Sequence, residues 1–225
     1  MRILSVLQLF IILIIPVIVN GQESFTGMLE YKISIRDTSM RALIPDNKMM
    51  VYTNDTITRI ENYTSRLGKQ VVIHHMILNK SYMLLDTPVG KFAIQTDHNK
   101  SDTTGSQPDY TIEKKCGKEK VLGYKAKKFL VNYEDLEEPL HFLYLKRYSN
   151  KYLNNFEDSP GLLVKYSFPT EDGILDYELV RISEYTPDRD LFGIPSDYER
   201  VSFDEFLKRF LNQPEEGEKA PEEEN

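Results

Sequence analysis

From Phe25 to Arg36 the odd positions are Phe, Gly, Leu, Tyr, Ile and Ile, while every even position except Met28 is polar. A period of two held over twelve residues fits an extended strand with one buried and one wet face, and does not fit a helix. A strand leaves a row of backbone donors and acceptors to be paired, so the pattern also demands neighbours. The chain supplies them. Lys48–Thr53 and Thr56–Tyr63 flank Asn54-Asp55, two residues that tolerate the positive φ of a tight hairpin. Gln70–Leu78, Ser81–Asp86 and Lys91–Thr96 follow, separated by Asn79-Lys80 and by Thr87-Pro88-Val89-Gly90. After a polar stretch from Asp97 to Asp109, strands resume at Tyr110. Tyr124–Tyr133, Leu140–Lys146, Gly161–Phe168 and Ile174–Tyr185 are rich in aromatic and β-branched residues, and Asp172-Gly173 joins the last two. The expectation is a mainly β (α+β) domain: a curved antiparallel sheet of about ten strands. Tyr148–Asp158 reads as a short helix beside it.

A second helix is expected at the C-terminus. Ser202 can cap it while Glu205 reaches back, the capping-box spacing, and Phe203, Phe206, Leu207 and Phe210 then recur at i, i+3, i+4 and i+7. All four fall on one face, which acts as a lid on the sheet. Beyond it, residues 212–225 hold six Glu and one Lys with nothing to bury, the composition of a disordered acidic tail. At the other end, Met1-Arg2, an apolar run to Val19 and small residues before Gln22 make a secretory signal peptide, with Pro16 and Gly21 favouring cleavage over retention as an anchor. The layout is therefore a signal peptide over 1–21, one β-rich domain over 22–211 and the tail. The protein is expected to be periplasmic or extracellular, with no transmembrane segment after cleavage.

Chemistry is harder to find. The lone cysteine, Cys116, cannot form an intramolecular disulfide, and no positioned base accompanies it. No Gly-x-Ser-x-Gly occurs. His74 and His75 are neighbours on a strand and point to opposite faces, while His98 and His141 lie in other segments, so no metal site is expected. The reading is a non-enzyme without cofactor. Without Arg2, 27 basic residues face 35 acidic ones, a net of −8 of which the tail holds −5, and such a near-neutral body argues against nucleic acid. One basic run stands out: Lys114, Lys115, Lys118, Lys120, Lys125, Lys127 and Lys128, opposed only by Glu119. It fits a hairpin that meets anionic head groups or an acidic partner, and equally a solvated hairpin whose lysines deter edge-to-edge pairing. Asn54, Asn62, Asn79 and Asn99 begin Asn-x-Ser/Thr triplets, which matter only in a glycosylating host.

Four islands resemble the secreted GLPGLI family and its neighbouring bacterial domains. They are Phe25-Thr26-Gly27 with Tyr31, Gly123 to Lys128, Pro160-Gly161-Leu162-Leu163, and Phe192-Gly193-Ile194-Pro195 with Tyr198. The chain departs from the name motif at Asp158, Ser159 and Leu163, where the family has Gly, Leu and Ile, and carries Ala126 where members often have cysteine. The resemblance implies that loss of this cysteine leaves Cys116 unpaired. It further implies a half-barrel similar to the lipoprotein-carrier (LolA-like) fold with helices over its hollow, and brings no catalytic residue. Together with 25 aromatic residues and no tryptophan, it leads to an expected role in the cell envelope. That role is binding of an apolar ligand, a lipid or lipoprotein, in the hollow of the sheet; the alternative is a structural or protein-interaction module of the envelope.

Overall fold

A computed structural model describes residues 22–37, 47–64, 68–87, 89–96, 109–153, 156, 158–171 and 173–211. The expected signal peptide, residues 97–108 of the polar stretch with His98 and Asn99, and the acidic tail lie outside them. Among the described residues the strands are β1 (Thr26–Ile35), β2 (Asn47–Asn54), β3 (Ile57–Thr64), β4 (Gly68–His75), β5 (Lys80–Thr87), β6 (Gly90–Thr96), β7 (Tyr110–Val121), β8 (Tyr124–Tyr133), β9 (Leu140–Leu145), β10 (Leu162–Thr170), β11 (Gly173–Glu184) and β12 (Glu199–Val201). One helix, α1 (Phe203–Leu211), ends the described chain. The fold is mainly β, as the alternation predicts, with two more strands than the sequence suggests.

All twelve strands form one curved, unclosed sheet in the order β12-β6-β5-β4-β3-β2-β1-β11-β10-β9-β8-β7. Two antiparallel meanders meet where β1 pairs with β11. Register irregularities at Glu30/Tyr31, Leu163/Lys165 and Lys114/Lys118 mark bulges, which bend and twist the strands that carry them. Curvature in so wide a sheet follows from these bends added to ordinary strand twist.

Along β1, Leu29, Tyr31 and Ile33 point to the face that carries the main core, here termed inner. Ladder pairing extends that face through Val51 and Ile60 on one side and Tyr177, Tyr166, Phe142 and Phe129 on the other. The segment after β9 fills the second half of it. Phe156 inserts among Tyr110, Phe142, Tyr166 and Phe168 with ring centroids 4.9 to 6.4 Å away. Tyr152 accepts from the Phe25 amide at 2.5 Å and donates to Asp55, and Asn150 ties the Phe156 carbonyl to the Leu163 amide. These ties explain why the expected helix over Tyr148–Asp158 is absent from the described part of that segment, which runs in turns. Its polar groups bond to distant backbone, and its aromatic residues face one core from a non-helical path.

After β11 the chain crosses the outer face of β3 to β6. Phe192 is buried there, Ile194 and Tyr198 pack on Val71, Ile73, Leu84 and Ala93, and Arg59 donates to the Leu191 carbonyl at 3.1 Å. This strap delivers β12 parallel to β6, with Val201 beside Ile94, and α1 then folds back over the inner face. Phe206 is 6% exposed and meets Phe92 edge-on at 5.5 Å, with Leu207 and Phe210 partly buried beside it. Phe203, by contrast, is 43% exposed. The expected four-residue lid is thus three residues, because α1 begins at the sheet margin and its first turn overhangs it. Ser202 does cap the Glu205 amide at 3.2 Å, but the Glu205 carboxylate pairs with Arg209 at 2.7 Å instead of reaching back. Unfolding measurements should therefore show Phe206→Ala costing about 3 kcal/mol, with Phe203→Ala and Lys208→Ala within about 0.5 kcal/mol of the parent.

Candidate functional site

Between the filled half of the inner face and α1 lies a strip on β3, β4 and β5. Ile60, Val72 and Met83 stand side by side in register there, all only partly buried. Strand spacing makes the row roughly 10 Å wide. At one end of it Thr53, Thr58, His74 and Ser81 form a polar row on the same face, and at the other lie Asn62 and Gln70. Thr53 accepts from the Asp55 amide at 3.1 Å, and His74 Nδ1 meets Ser81 Oγ at 2.7 Å. Thr58 Oγ1 and Asn62 Oδ1 are buried with no hydrogen-bond partner. Four residues apart on one strand, they are roughly 13 Å from each other. A buried polar atom left unpaired costs about 1 to 3 kcal/mol; the Tyr133 hydroxyl in the main core is a third such atom, and Thr58 and Asn62 differ from it in flanking an apolar row.

In the sequence Asn62 stands out only as the start of an Asn-x-Thr triplet, and Thr58 not at all. Thr56 to Tyr63 alternates, but Thr58, Ile60 and Asn62 mix polar and apolar side chains on one face. Only the register across β2 to β5 reveals which of them meet a shared row.

On the outer face, β1, β11, β10 and β9 form an open depression of about 750 Å³. Lys32, Arg36, His141, Lys165, Asp176 and Glu178 are among its lining. Arg36 binds Asp176 at 2.6 Å and Ser167 at 2.9 Å, and Ser167 donates to Asp176 at 2.6 Å. Ser167 is therefore a bridge within an ion pair. The Ser167 hydroxyl is thus committed to the Arg36–Asp176 pair, without the nucleophile, base and orienting group in series that activate a hydroxyl.

Acid–base groups elsewhere are tuned by burial and pairing. Burial pushes the Tyr152 hydroxyl up to about 12, and a hydrogen bond from Lys151 holds the Asp55 carboxyl below its usual range. Both groups serve the segment that fills the core. Among the described residues no cluster of His, Cys, Asp or Glu could hold a metal ion.

The lysine run maps to β7 and β8, a hairpin at the sheet edge. Lys128 pairs with Glu119, while Lys118 stands opposite Lys127 and Lys120 opposite Lys125. Ala126 stands opposite Glu119. The family-like islands occupy structural positions. A Cβ at Gly27 would strike the Ser183 carbonyl, and one at Gly161 the Leu145 carbonyl.

No family model matches the chain, and no curated protein matches it. Among solved structures, that of PNGF-II in a C2 space group superposes with a TM-score of 0.50 at 13% identity, over 82% of this chain and 32% of that one. PNGF-II in a P21 space group gives 0.49 at 13%, over 82% and 33%. This chain thus spans about a third of the PNGF-II chain, and the likeness is one of fold alone. Among the described residues no helix is long and apolar enough to cross a membrane.

Proposed function

We propose that this chain is an exported, non-catalytic binding module of the cell envelope that holds an apolar ligand with a polar group, a lipid or the acyl part of a lipoprotein, on the inner face of its sheet. The observation that carries the reading is the Ile60–Val72–Met83 row, flanked along β3 on either side of Ile60 by the unpaired Thr58 Oγ1 and Asn62 Oδ1. Ligand pockets are built in this way, with apolar walls and a few convergent polar atoms. The GLPGLI resemblance and the signal peptide belong to the same proposal and support it from the sequence side.

Native mass spectrometry of the protein purified from its own periplasm tests the reading, and a retained lipid is the expected result. Thr58→Val sharpens it. Exchanging an unpaired hydroxyl for a methyl group should stabilise the empty protein by about 1 kcal/mol while lowering the retained lipid. A parent protein without lipid but with a co-purified polypeptide would replace this reading with the protein-interaction module.

A further inference from the structure

The β7–β8 hairpin carries more positive charge than edge protection explains. By register and alternation, Lys118, Lys120, Lys125 and Lys127 project to one side of it, with Glu119 and Lys128 on the other. Directly opposed side chains have Cβ atoms about 5 Å apart, and like charges in that position destabilise the pair. None of the four makes an ion pair among the described residues, whereas Lys128 is held by Glu119. Nearby acids at this end are engaged elsewhere: Glu23 binds Arg147 at 2.7 Å and Glu184 accepts from Tyr148 at 2.6 Å. Lysines that protect an edge belong on the edge strand. β7 is that strand, but β8 is paired with β9 from Lys127↔Tyr144 onward, so at Lys127 the strand is interior and edge protection gives no reason for a lysine there.

The turn adds a second, independent oddity. Leu122 has φ 50° and Gly123 φ 83°, the signature of a two-residue turn in which Asn-Gly is the favoured pair. A leucine at positive φ is costly to the backbone, and here it gains no burial, being 46% exposed at the tip. Space around Gly123 is open. The tip also runs past the last β8–β9 pair, so Leu122 protrudes with two lysine pairs behind it. An apolar point followed by unpaired cations fits a flat, anionic, partly apolar surface.

We infer that the β7–β8 hairpin docks on an anionic lipid bilayer, with Leu122 entering the head-group layer and Lys118, Lys120, Lys125 and Lys127 contacting lipid phosphates. This surface is separate from the inner-face strip and does not depend on the ligand reading. Each lysine near an anionic surface is worth about fivefold in partitioning, the equivalent of about 1 kcal/mol.

The test is co-sedimentation of the purified protein with vesicles of pure phosphatidylcholine and of phosphatidylcholine with phosphatidylglycerol, at low and at physiological salt. Binding to the anionic vesicles alone, weakened by salt, is expected. The double variant Lys120→Gln/Lys125→Gln should lower it by roughly 25-fold. Leu122→Asn, which suits the turn better, should fold at least as well and bind less. Lys48→Gln/Lys80→Gln, with the same charge change far from the hairpin, should stay within about twofold. Equal loss in that control, equal binding to both vesicle types, or no binding at low salt overturns the inference. Binding to soluble polyglutamate without binding to vesicles overturns it as well, in favour of an acidic polypeptide partner.

Discussion

Truncating Phe156 to Ala should destabilise the protein by about 3 to 5 kcal/mol, seen as a fall in melting temperature of roughly 6 to 20 °C. The ring is 1% exposed and is enclosed by Tyr110, Phe142, Tyr166 and Phe168. Its removal leaves a cavity that rigid strands on three sides cannot close. The backbone makes the same point. Phe156 sits at φ 58°, where a bulky residue is an outlier costing about 1 kcal/mol or more, and it is kept there by burial of the ring and by the Ser159 and Asn150 donors on its carbonyl, at 2.9 and 3.1 Å. Phe156→Leu, which keeps most of the apolar volume, should lose less than Phe156→Ala. A loss below about 1 kcal/mol in denaturant titration of Phe156→Ala would mean that this segment does not complete the core.

Gly27→Ala should be comparably damaging, by about 3 kcal/mol or more. Gly27 lies at φ 143° opposite Glu184, and an added Cβ would collide with the backbone carbonyl of Ser183. No side-chain rotation relieves that contact, so β1 must part from β11 at the junction of the two meanders. Gly123→Ala is the companion measurement. Its φ of 83° is also unfavourable to alanine, but nothing lies near the new methyl group, and a loss of about 1 to 2 kcal/mol is expected from backbone strain alone. The difference between the two variants isolates close strand approach from conformational preference. Equal losses would show that the β1–β11 contact yields easily.

Alternation in single segments was enough to locate most strands. Phe25–Arg36 became β1, and Tyr124–Tyr133 became β8 at its expected bounds. Asn54-Asp55 turned as its residue types require, with Asp55 at φ 76° and the Asn54 side chain accepting the Ile57 amide at 2.9 Å. Ser202 likewise marked the start of α1. The turn after β4 is longer than Asn79-Lys80 suggests, and it leaves Ile77 and Leu78 exposed. Their apolar character mimics strand continuation, and local sequence holds no opposing signal.

The strand-forming segments, their turns and the amphipathic helix are legible along the chain, because each depends on side-chain types within a dozen residues and on backbone geometry that repeats locally. Which strands meet is settled only when the whole sheet forms. Gly27 faces Glu184, and Glu199 to Val201 lie parallel to β6, through pairings between distant segments that leave no local periodicity. The assembled sheet also places Tyr148 and Phe156 in a core, lets Phe203 overhang the margin, buries Thr58 Oγ1 and Asn62 Oδ1 without partners, and sets Lys118 opposite Lys127. Burial and charge opposition are properties of neighbours across the ladder, and those neighbours are chosen only when the whole sheet assembles.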